Sequence, residues 1–276
     1  MIKNISLFLL IGLWSTVMCA QTRTTGSLVH LNIGDKYQPA EVTFADGTKQ
    51  SGFINGFIEN NFIDFGGTNN FDDFEGQLNL DDEKFYFKTD RNGKAVVLQQ
   101  KDLQQVTVDD NGHLKSFRLL NIKSVGKNRQ IVDLNRKAWL PLLLKEGNFG
   151  LYGFNMYINN RYVHTYVYIS GDDINALKPT DRTFAGRETM IDSYRIMLKH
   201  VFNDCKALDD AIEDFLNPEK WKLERKNVDA RIKLVNKDKT LNDAQQRSAI
   251  QSLNQAFATD PYLKLMQEYG KSCMQH

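Results

Sequence analysis

Along this chain the spacing of apolar residues changes period once, near Gly171, and that change restricts the architecture more than any other feature. Before it, short runs of β-branched and aromatic residues alternate at the two-residue period of a strand. Three pairs of such runs flank Asp46-Gly47, Asn92-Gly93 and Asn111-Gly112. These dipeptides supply the positive φ angles of tight turns, so 41–54, 84–98 and 105–120 each predict an antiparallel hairpin. Residues 66–80, rich in Gly, Asn and Asp, predict a long loop.

After Gly171 the period is that of a helix. Met190, Ile191, Tyr194, Leu198, Val201, Phe202 and Cys205 share one helical face, and Leu208, Ala211, Ile212, Phe215 and Leu216 form a second. Asn217 predicts the cap of a third helix with Pro218 in its first turn. Thr240 with Asp243 predicts the start of a fourth, and Asp260-Pro261 the start of a last one. The fold class is therefore α+β, an antiparallel β-rich domain over 21–180 followed by an α-helical region over 181–276.

Residues 1–20 hold one lysine, Lys3, an apolar run over 7–14, and Cys19-Ala20 at their end. They read as a secretory signal peptide cleaved before Gln21. The run is shorter than the roughly 20 apolar residues of a membrane span, and no later stretch approaches that length. Bulky Met18 argues against lipid anchoring at Cys19. The expectation is an exported, periplasmic or extracellular protein with no transmembrane segment after cleavage. The full chain carries 35 Lys and Arg against 34 Asp and Glu, and loss of Lys3 balances them. A neutral chain has no electrostatic footprint for nucleic acid.

The leader ending in Ala before Gln, the VTFADGTKQSGFI hairpin, the NFGLYGFNMYINNRYVHTYVYISGDD segment and VFNDCKALDDAI together resemble uncharacterised exported proteins of Bacteroidota-type bacteria. The likeness spans roughly 38–216. It implies an envelope or secreted location and a β-rich body with a helical tail, and it carries no activity and no catalytic residues.

Sequence motifs give little support for catalysis. Neither Gly93-Lys94 nor Gly126-Lys127 has the upstream glycine of a phosphate loop, and Ser124-Val-Gly-Lys127 lacks the partner motifs of a serine–lysine enzyme. His30, His113, His164, His200 and His276 are scattered, with no H-E-x-x-H spacing. The acid pairs Asp81-Asp82, Asp109-Asp110, Asp172-Asp173 and Asp209-Asp210 leave open a hydrolase with a fold-assembled acid pair, but three of them sit at turns, where Asp serves local hydrogen bonds. No cofactor, metal or catalytic residue is assigned. Cys205 and Cys273 both fall on inward helical faces, which leaves open a disulfide or two buried thiols.

One segment invites a binding role. With Asn159-Asn160 as a two-residue turn, Tyr157 faces Tyr162, Asn155 faces His164, Gly153 faces Tyr166 and Leu151 faces Tyr168. Tyr157, Tyr162, His164, Tyr166, Tyr168 and Asn155 then form a candidate binding surface of flat apolar area with hydrogen-bonding tips. The competing expectation is that these tyrosines form a packing layer under the helices. The functional expectation is an exported envelope protein acting by surface recognition or assembly, with no catalytic role. The alternative is a glycan or small-ligand binder using the Tyr-rich hairpin. Glycan, peptide and another envelope protein are the candidate partners.

Overall fold

A computed structural model describes residues 29–30, 37–55, 58–59, 84–110, 112–158, 161–180 and 186–274. Among these residues twelve strands come first: β1 (Val29–His30), β2 (Gln38–Phe44), β3 (Lys49–Asn55), β4 (Ile58–Glu59), β5 (Lys84–Lys88), β6 (Val96–Gln99), β7 (Leu103–Asp110), β8 (His113–Val125), β9 (Ile131–Glu146), β10 (Phe149–Ile158), β11 (Arg161–Ser170) and β12 (Asn175–Thr180). Four α-helices follow among the described residues, α1 (Arg187–Val201), α2 (Asp209–Phe215), α3 (Pro218–Lys237) and α4 (Asp243–Ser272). This is the α+β order expected from the change of period. The leader and the loop expected at 66–80 lie outside the described residues.

The three expected hairpins form, β2–β3, β5–β6 and β7–β8, all antiparallel. Apart from the short β1–β4 pair, the strands make one sheet in the order β12-β11-β10-β9-β8-β7-β2-β3-β5-β6, and β12 also pairs with β8. That last contact closes β8 to β12 into a barrel. Consecutive strands alternate in direction, so in a ring of five the first and last run the same way. The closing pair is accordingly parallel, Asn175 opposite Asn121 and Lys178 opposite Ser124.

Alternation along each strand sorts neighbouring residues into different cores. Leu120, Ile122, Ala138, Leu140, Tyr152, Tyr168 and Ala176 fill the barrel. Their neighbours Leu151, Ile169 and Leu177 point outward and pack against Met197 and Leu198 of α1, Phe215 of α2 and Leu265 of α4. On the other wing, Phe85, Phe87, Val106, Phe117 and Trp139 form a separate core. There Phe85 meets the Trp139 ring edge-on at 6.1 Å, and the Trp139 indole N–H donates to the buried Gln100 side chain at 3.1 Å.

Two helical expectations change. Asn242 caps the fourth helix with Gln245 in a reciprocal capping box, while Thr240 instead bonds Asp238 in the preceding turn. No helix starts at Pro261. The residue lies inside α4, which runs 30 residues without interruption. A proline removes one backbone hydrogen bond, and here burial of Tyr262, Leu265 and Met266 just beyond it offsets the loss. Among the described residues no helix is long and apolar enough to cross a membrane.

Candidate functional site

The Tyr-rich hairpin is present, but its register differs from the one expected of a simple ribbon. Tyr157 lies opposite Tyr162 as expected, and then the register shifts between Met156 and Tyr157. Met156 pairs with His164, so Val163 is an extra residue on β11, a bulge. From there inward Asn155 opposes Thr165, Phe154 opposes Tyr166, Gly153 opposes Val167 and Tyr152 opposes Tyr168. A shift of one residue exchanges the faces, which is why Tyr152 joins Tyr168 and Tyr166 instead of lying across the sheet from them.

This exchange decides where the tyrosines go. Tyr168 is 2% exposed and Tyr152 also 2%, both inside the barrel, and Tyr166 packs half-buried against the same core. Burial holds the Tyr166 phenol above its ordinary value, at about 12. Tyr168 is thus a core residue, which corrects its assignment to a binding surface. The layer it belongs to is the barrel interior; the helices cover the opposite face. The side chains of Asn155, Tyr157, Tyr162 and His164 lie outside the described residues. Gly153, at φ +155°, marks where β10 leaves β9: the ladder between them ends at Tyr152. A Cβ at Gly153 would stand 1.9 Å from the Tyr166 carbonyl oxygen, so the close approach of the two strands requires glycine.

At one end of the barrel the ionisable groups converge. Asp173, in the turn before β12, accepts from the Tyr152 hydroxyl at 2.7 Å, pairs with Lys145 of β9, and lies 3.4 Å from Arg118 of β8. Arg118 also donates to Gln105 at 3.3 Å, and its buried Nε has no partner. Partial burial pushes the Asp173 carboxyl up, but the Lys145 and Tyr152 hydrogen bonds and the Arg118 charge outweigh it, and the net shift is downward. Tyr152 is driven well above the ordinary phenol range, first by burial and then by the adjacent carboxylate. An ionised Asp and a neutral Tyr with pKa values pushed apart in these directions make a stable polar clasp, with neither group poised to exchange a proton near neutrality.

Other candidate groups are engaged locally. Asp172 accepts from the Ile174 and Asn175 backbone at 2.9 and 2.8 Å and from the Asn175 side chain at 2.6 Å. Asp109 bonds the Gly112 amide and Asp209 pairs with Lys199. Ser124 is fully buried with an unpartnered hydroxyl, and Asp81-Asp82 fall outside the described residues. Cys205 and Cys273 form a disulfide with Cα atoms 6.3 Å apart, joining the segment after α1 to the end of α4. Among the described residues no three His, Cys, Asp or Glu side chains gather as a metal site. Compared with protein-family models, curated proteins and solved structures, the chain has no significant match in any of the three.

Proposed function

We propose that this chain is an exported envelope protein that acts by surface recognition or assembly, and that the outer part of the β10–β11 hairpin is its contact element. The observation that carries this reading is the pairing pattern. The β9 ladder with β10 ends at Tyr152, and the β12 ladder with β11 involves Ile169 alone. Over 153–158 and 161–167 the two strands pair with each other, and this stretch carries Tyr157, Tyr162 and His164. Export is supported by the apolar leader and by the Cys205–Cys273 bridge, since disulfides persist in oxidising compartments.

The test is to express the chain with its leader and cross-link intact cells. Wild type is expected in the periplasmic or extracellular fraction, cross-linked to an envelope component that the Tyr157→Ala/Tyr162→Ala variant fails to reach at an unchanged melting temperature. Cytoplasmic retention, or equal cross-linking by the variant, overturns the reading.

A further inference from the structure

A groove of about 270 Å³ runs along the seam between barrel and helices, at the opposite end of the β10–β11 hairpin from its tip. Its floor is apolar, built from Phe149, Leu177 and Val201. Tyr269 stands against this floor, its ring 5.2 Å from Phe149 and edge-on to it. Around the rim come the amides of Asn148, Asn175 and Asn203, with Lys123 and His200. Asp172 is also on the rim, but its oxygens are taken by its own turn.

Two features set this groove apart from a chance depression. Lys123 is partly buried, and although Asp133 lies opposite it on β9, that carboxylate accepts from the Asn135 amide and forms no ion pair with Lys123. Its ammonium is therefore available on the rim to an anion supplied from outside. The second feature is the end of α1. The Asp204 amide donates to Lys199 and the Asn203 amide to His200, the double closure of a helix whose next residue is left-handed. Glycine is the usual occupant of that position, but here it is Asn203, at φ 51°, and its side-chain amide reaches the Tyr269 hydroxyl at 3.3 Å on the groove rim. The disulfide follows Asn203 by two residues and Tyr269 by four, and so ties both walls together.

We infer that this groove binds a saccharide ring bearing a carboxylate, the ring lying over Tyr269 and the apolar floor, its hydroxyls meeting the asparagine amides and its carboxylate meeting Lys123. Apolar floor, aromatic edge and amide rim match the alternating apolar and hydroxyl faces of a sugar, and the volume is at the small end of ligand clefts, suited to one ring. The site shares no residue with the outer part of the hairpin, 153–167.

Ligand-observed NMR on the full mature chain tests it, with glucuronic acid, galacturonic acid and glucose as probes. Wild type is expected to bind a uronic acid at millimolar concentration about fivefold or more tightly than glucose. Lys123→Gln should abolish that preference. Asn203→Gly keeps the left-handed turn, so it should leave the melting temperature unchanged or raised while weakening uronic acid binding about threefold or more. The hairpin double variant should bind as wild type does. Absence of uronic acid binding, a preference retained by Lys123→Gln, or full affinity in Asn203→Gly overturns the inference.

Discussion

Tyr152 and Asp173 show how a single pair of side chains fixes the pH range of the barrel end. The Asp173 carboxyl titrates lower in the folded chain than its ordinary value of 3.8, so its contribution is complete above that value and is lost as pH falls through the folded pKa. Tyr152 titrates higher than 10.0, so its contribution is complete below that value and is lost as pH rises through the folded pKa. Acid and alkaline melts should therefore show Asp173→Asn flattening the acid limb and Tyr152→Phe flattening the alkaline limb. Tyr168→Ala removes a ring from the barrel interior and is expected to cost about 3–5 kcal/mol, measured by denaturant titration. The contents of this face were readable as a Tyr-rich ribbon, but its orientation was not. One extra residue, Val163, reverses which side chains face inward, and no residue type at that position announces a bulge.

At the scale of elements, α4 carries the clearest local conflict. Pro261 has no amide to donate to the Phe257 carbonyl, yet the helix runs through it. Pro261→Ala is expected to raise the denaturation midpoint, by about 1–3 kcal/mol of added stability, from the restored bond and better helix propensity. Reduction of the disulfide, which spans a sequence separation of 68, should destabilise the chain by about 4 kcal/mol on the chain-closure argument, read as the difference between melts with and without reductant. Helix caps were legible where the signal was local, as at Asn217, whose side chain accepts from the Glu219 and Lys220 amides. Near α4 the expected Thr240 cap gives way to Asn242, two residues on, because Gln245 completes a reciprocal pair with Asn242. A tertiary override explains Pro261, because the packing beyond it lies outside any local window.

For the whole molecule, barrel and helices share one core: Leu151, Ile169 and Leu177 of the strands touch the same cluster as Leu198, Phe215 and Leu265 of the helices. Far-UV and near-UV signals should consequently lose structure in one coincident thermal transition, and two separated transitions would contradict the shared core. The change of period near Gly171 marks a change of element, not a break in packing. Residues 171–174 are held by the Asp172 and Asp173 hydrogen bonds and β12 belongs to the barrel, so early proteolytic cuts should avoid 171–180. Hairpins were readable because turn and strands are contiguous. Barrel closure was not, since the β12–β8 ladder joins segments more than fifty residues apart and leaves no local mark in either.

That parallel ladder also governs the time course of folding. Until residues 175–180 arrive, the outer half of β8 keeps an unfilled row of backbone donors and acceptors, and three intervening strands must already be ordered before they can be occupied. Local hairpins form in roughly microseconds, whereas closure across so long a loop is a late, slow event of the millisecond-to-second kind. A chain interrupted before β12 therefore presents a sticky seam along β8, and the last strand of the sheet is the stitch that covers it.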